Sequence, residues 1–76
     1  MEIKEFIERF AEIFDDVDVA TLTPQTEFHN LDEWSSLSAL GLIAMTDEEF
    51  DVELKGEEIR SARTINDLFT LILSKV

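Results

Sequence analysis

Cysteine is absent from the 76 residues, so no disulfide supports a small core, and the chain has no thiol of its own for thioester chemistry or soft-metal ligation. Any thiol that the function requires has to come from a cofactor. Cations are scarce: six Lys and Arg stand against eighteen Asp and Glu, a formal charge of −12. A field of that sign repels phosphate backbones and anionic membrane surfaces, which excludes nucleic acid as a natural partner and favours basic patches on other proteins. There are only two Gly and one Pro, while apolar residues make up 45%. Those proportions describe a folded, helical chain rather than a disordered one. At this length a single domain spanning residues 1–76 is expected, with a thin core and no deep catalytic cleft. Long hydrophobic runs are missing too. The longest uncharged stretch, Trp34 to Thr46, is far too short to cross a bilayer. Met1-Glu2-Ile3-Lys4-Glu5-Phe6 lacks the basic start and unbroken apolar run of a signal peptide. A cytoplasmic monomer without membrane insertion is the expectation.

What is present is helical periodicity. Ile3, Phe6, Ile7, Phe10, Ile13 and Phe14 recur at helical spacing with Glu2, Glu5, Glu8, Arg9 and Glu12 between them, which predicts an amphipathic helix over 2–15. From Asp15 to Glu33 the pattern gives way to turn and cap residues, among them Asp18, Thr23-Pro24 and Asn30. A loop of that length is unusual in a small domain, so Val17, Val19, Leu22, Phe28 and Leu31 are expected to pin it to the core. Ser35 or Ser36 can cap a second helix that runs to about Asp51. On a wheel of about 100° per residue, Ala39, Leu42, Ile43, Thr46 and Phe50 form its core face. Leu37, Gly41, Ala44 and Glu48 lie opposite, with Leu40 and Asp47 at the edge. Lys55-Gly56 breaks the chain, and Glu57 to Ser61 makes at most a short turn that carries Ile59 inward. Thr64 opens the last helix, with Asp67 as the capping-box acid and Ile65, Leu68, Phe69, Ile72 and Val76 as its stripe. The fold class is therefore all-α, three main helices and one short one.

Charged residues make up 32% of the chain, yet 34–46 has none, and Asp47-Glu48-Glu49-Phe50-Asp51 follows at once. A helix buried on most sides accounts for this; so does an exposed face kept small and apolar for docking. Ser35-Ser36-Leu37, with Phe50 thirteen positions after Leu37, resembles the acyl carrier protein pattern, in which Asp-Ser-Leu opens the second helix. The likeness continues in the amphipathic first helix, the Thr-Pro step and Phe of the loop, the short third helix and the Thr-Ile start of the last.

The resemblance implies a four-helix bundle of acyl carrier type. Its serine, Ser36 here, would bear 4′-phosphopantetheine transferred from coenzyme A by a magnesium-dependent phosphopantetheinyl transferase. Ser35 occupies the family's Asp position, where the acid helps the transferase hold its metal, so priming by a given transferase is the property this departure touches. Partner enzymes of the family read the second helix, and the matching positions include Leu37, Ser38, Gly41, Ala44, Asp47 and Glu48. The acids survive only in its second half. This difference points to acyl-transferring and condensing enzymes of a dedicated, dissociated synthase of fatty acid, polyketide or polyene type.

The residues alone agree with a carrier rather than an enzyme. Ser36 has no His, Lys or acid beside it in sequence, so nothing adjacent activates its hydroxyl. A phosphodiester there would sit at a helix N-terminus, where free amides and the dipole favour an anion. No nucleophile, base and orienting group can be assembled for catalysis. Trp34 either caps the core where the loop joins the second helix or contacts the arm. His29 stands alone and is assigned no metal or catalytic role. Asp16 to Glu27 has the length of a calcium loop, but Ala20 and Thr21 fill the ligand and turn-glycine positions, so no metal site is expected. Two alternatives stay open, an unmodified carrier-fold binding module and a peptidyl or D-alanyl carrier.

Overall fold

The computed structural model describes residues 2–76. Its order is α1 (Ile3–Ala11), 3-10 turns at Val19–Thr21 and Phe28–Asn30, α2 (Ser36–Phe50), α3 (Gly56–Ser61) and α4 (Ile65–Lys75). The chain is thus a small four-helix bundle, three longer helices and one short, as the sequence pattern predicts.

α1 buries Phe6, Ile7, Phe10 and Ala11. It stops at Ala11 rather than Asp15, because the chain tightens there: Ile13 donates to the Phe10 carbonyl at 3.1 Å and Phe14 to that of Ala11 at 3.2 Å. The acids Glu12, Asp15 and Asp16 crowd the negative end of the helix dipole, which disfavours a further turn. Ile13 and Phe14 still pack against the core from this tightened end.

The 15–33 connection is a pinned loop, with Leu22 and Phe28 in the core. Its backbone also closes the start of α4: Ile65 donates to the Thr26 carbonyl at 3.0 Å and Asn66 to that of Pro24 at 2.8 Å. Thr64 Oγ1 accepts from Asp67 N at 3.1 Å, while Asp67 Oδ2 accepts from Thr64 N at 3.1 Å. First-turn amides that a helix leaves unpaired are therefore satisfied by the loop and by the expected capping box. Val19 does not join the anchors; it is exposed on its 3-10 turn. Val76 also departs from expectation. It lies beyond the last turn of α4 and is 80% exposed, so the buried stripe ends at Ile72.

α2 sits with Leu42 and Thr46 fully buried and Ala39, Ile43 and Phe50 half-buried, the expected core face. Its end is a left-handed Asp51 at φ 55°, from which Val52 donates back to the Thr46 carbonyl at 3.2 Å. That reversal brings Val52 and Leu54 into the core on the way to α3.

Gly41 requires a correction. It does not present an open outward position, because a Cβ there would lie 3.0 Å from Ile13 Cγ2. The small residue admits the tightened end of α1 against α2. A mid-helix Gly otherwise costs about 1 kcal/mol relative to Ala. Gly41→Ala alone is therefore expected to change stability little, the propensity gain being offset by crowding of Ile13. In an Ile13→Ala background it should recover close to the full gain. Urea unfolding of the four variants in this cycle checks the coupling, and purely additive effects would contradict it.

Candidate functional site

At the start of α2 the two adjacent serines divide their roles. Ser35 is the N-cap: its Oγ accepts from Ser38 N at 3.4 Å, and Ser38 Oγ accepts in return from Ser35 N at 3.2 Å. Ser38 also donates to the Glu33 carbonyl at 3.2 Å. This reciprocal pairing explains why Ser38, one of the positions that the resemblance assigns to partner reading, is buried. Ser36 is the first residue of the helix proper and is exposed. Among the described residues no side chain hydrogen-bonds its hydroxyl, and the first turn holds no acid. Among the described residues no base is hydrogen-bonded to the Ser36 hydroxyl to activate it.

Ser36 stands on the rim of a groove of about 570 Å³ between α2 and α3. Ala39, Ile43, Ile59 and the Trp34 ring make its apolar lining, and His29, Ser35 and Arg60 its polar edges. Trp34 caps the core, the first of the roles considered for it, and it also stands beside the groove. One side of the indole joins the aromatic core, stacked near Phe10 at 6.3 Å between centroids and edge-on to Phe28 at 4.9 Å. The same residue borders the groove. The hydrogen bonds of His29 run outside its own loop, a link not legible in the sequence. Its Nε2 lies 3.1 Å from both the Ile59 and Ala62 carbonyls, tying the Phe28–Asn30 turn to the end of α3.

The far wall is braced from behind. Glu58 Oε1 accepts from Lys55 N at 2.9 Å, and its other oxygen pairs with Lys75 of α4 at 2.9 Å. The Lys55 backbone bond, then the bond to Lys75, hold the Glu58 carboxyl below its ordinary value. Asp67 is likewise lowered by the backbone amides of Thr64 and Arg63.

A family model described as a phosphopantetheine attachment site matches residues 4–72, nearly the whole chain. The chain belongs to the phosphopantetheine-attachment family. It is a phosphopantetheine carrier protein, and its family binds 4′-phosphopantetheine covalently. Carrier domains of this family are generally non-catalytic, and they are served by phosphopantetheinyl transferases and biosynthetic enzymes. The residues fit the group: a solvent-facing hydroxyl, free of internal hydrogen bonds, stands beside a groove open to an arm.

Of the outward positions on this carrier's α2, Leu37, Ala44, Asp47 and Glu48 are exposed, Leu37 to 78%. Leu40, expected at the edge, is also 62% exposed. Gly41 lies among them in sequence but is half covered by Ile13. Among the described residues no group of His, Cys, Asp and Glu is arranged to hold a metal ion, and no helix is long and apolar enough to cross a membrane.

Proposed function

We propose that the chain is an acyl carrier protein in which Ser36 bears the 4′-phosphopantetheine arm and acyl intermediates ride on its terminal thiol as thioesters. The observation that carries this reading is the division of labour at the start of α2. Ser35 is consumed in capping while Ser36, one residue on, keeps an unengaged and exposed hydroxyl. With no Cys in the chain, the arm supplies all of the thioester chemistry, and the protein contributes tether and address without catalysis of its own.

Address is the function of the outward face of α2. Leu37 and Ala44, with Leu40 alongside, offer an apolar first half, Gly41 interrupts it under Ile13, and Asp47 and Glu48 supply charge only in the second half. Such a face suits condensing and acyl-transferring enzymes whose docking patches are less basic near the serine. This supports a dedicated, dissociated synthase of fatty acid, polyketide or polyene type, served by a cytoplasmic, monomeric carrier acting as a single domain. The acids at 47–51 favour acyl over aminoacyl cargo.

Intact-protein mass after incubation with coenzyme A, magnesium and a broad-specificity phosphopantetheinyl transferase tests the reading. One pantetheine is expected, mapped by fragmentation to the peptide that contains Ser36. If transferases including those of the native host leave the protein unmodified, an unprimed docking module replaces the carrier reading. Ser35 at the family's Asp position is the feature that favours this alternative.

A further inference from the structure

Arg60 is the one Lys or Arg among the residues that line the groove beside Ser36. Arg9 pairs with Glu12 and Glu49, each at 3.4 Å, and Lys75 with Glu58 at 2.9 Å. Among the described residues Arg60, like Lys4, Lys55 and Arg63, makes no such ion pair, although Glu57 and Glu58 share its helix. Its guanidinium folds back over the start of α3, with Nη1 3.5 Å from the point a Cβ on Gly56 would occupy. There Gly56 and Arg60 line the same groove as Ser35 and Ser36. One groove thus has a hydroxyl on its rim, an apolar lining and a guanidinium with no carboxylate partner.

We propose that Arg60 binds the phosphodiester of the arm and so draws the pantetheine chain down along the groove lining toward Ile59. This rests on the reading that Ser36 carries the arm. A phosphodiester is anionic throughout the physiological pH range, and a net charge of −12 drives it away from the surface almost everywhere. A guanidinium recognises phosphate oxygens through paired, charge-assisted hydrogen bonds. Arg60 is the cation that the groove provides, and its freedom from internal ion pairs leaves its donors for a ligand. Arg60 is then a positioning residue: it sets where the arm rests, and the chemistry of the thioester does not pass through it.

The test compares apo and primed protein by NMR for wild type, Arg60→Gln and Arg63→Gln. The last removes the same charge from an exposed position outside the groove lining. Mass spectrometry first establishes pantetheine on Ser36 in each. Priming of wild type and Arg63→Gln is expected to shift the Trp34 indole and the Ala39 and Ile59 amides, and their phosphodiester phosphorus lines should be broader than that of primed Arg60→Gln. Arg60→Gln should lose these shifts while its melting temperature stays that of wild type. In wild type they should also fade as salt rises from about 0.01 M to about 1 M, as the screening length shrinks from about 30 Å to about 3 Å.

Shifts that survive in Arg60→Gln on a protein primed at Ser36 overturn the assignment and leave the carrier reading intact. Shifts that need both Arg60 and a carboxylate-bearing acyl group on the thiol also overturn it, the anion held then being the cargo. If pantetheine never reaches Ser36, both readings fall together.

Discussion

Ser36→Ala abolishes pantetheine loading and leaves the fold as stable as before, whereas Ser35→Ala does the reverse: this is the expected outcome for the pair. Alanine is an excellent helix residue, and Ser36 contributes no side-chain hydrogen bond among the described residues, so its removal costs the bundle almost nothing. Ser35 holds the Ser38 amide and shares a contact with the Ser38 hydroxyl. Losing such a cap costs about 1 kcal/mol, or about 4–8 °C in melting temperature for a domain this size. Loading of Ser35→Ala should nonetheless go to completion. Intact mass and thermal denaturation of the two variants, side by side, read both arms. A Ser36→Ala protein that still gains a pantetheine removes Ser36 as the site, and a Ser35→Ala protein that melts with wild type removes Ser35 as the cap.

Ser35 as the cap and Ser36 as the first helical residue were legible because the arrangement is local. A helix N-cap is fixed by the hydroxyl and the amides within one turn, and the resemblance of Ser35-Ser36-Leu37 to the carrier motif then distinguishes the second serine from the first. The Thr64–Asp67 box was legible for the same reason. Failures appear wherever a residue answers to something distant. The resemblance puts Ser38 on the side of α2 that partners read, but its hydroxyl is claimed by Ser35 N and the Glu33 carbonyl. Gly41 shares that side until the end of α1 lies against it. Periodicity carried α1 past Ala11, since Ile13 and Phe14 are indeed directed to the core, though from a tightened turn rather than a further turn of α-helix. Arg60 and His29 had no sequence signal: one is a lone cation after two acids, the other a lone imidazole in a loop. Their placement on the groove depends on how α3 packs.

The uncharged stretch from Trp34 to Thr46 invited two explanations, burial and docking, and α2 divides between them by strips. Leu42 and Thr46 are in the core; Ala39, Leu40 and Ile43 border the groove; Leu37 and Ala44 face solvent with Leu40. A charge on the first strip would be buried, and on the second it would enter the space beside Ser36. Only the third strip is uncharged without a reason internal to the fold, since exposed helix positions in this chain are otherwise rich in acids. An outward face that is apolar beside the serine and acidic at Asp47 and Glu48 is therefore the surface that the proposed partner enzymes would read.

The largest stability effect is expected at Phe10. This ring is fully buried and approaches Phe6 at 6.3 Å, Phe14 at 5.4 Å, Phe28 at 6.1 Å and Trp34 at 6.3 Å between centroids. It joins α1, the long loop and the entrance to α2. Phe10→Ala should cost about 3–5 kcal/mol, the lost transfer energy plus the cavity left behind. Native domains are stable by about 5–15 kcal/mol, and short ones bury proportionally less surface. The variant is thus expected to be marginally folded at 25 °C, with the urea midpoint greatly lowered and Trp34 emission moved toward that of a solvated indole. Val76→Ala is the matched apolar truncation at an exposed position and should stay within about 0.5 kcal/mol of wild type. If Phe10→Ala loses less than about 1 kcal/mol, the aromatic cluster does not hold the loop to α1. Trp34 would then lack the fixed backing that its place beside the groove requires.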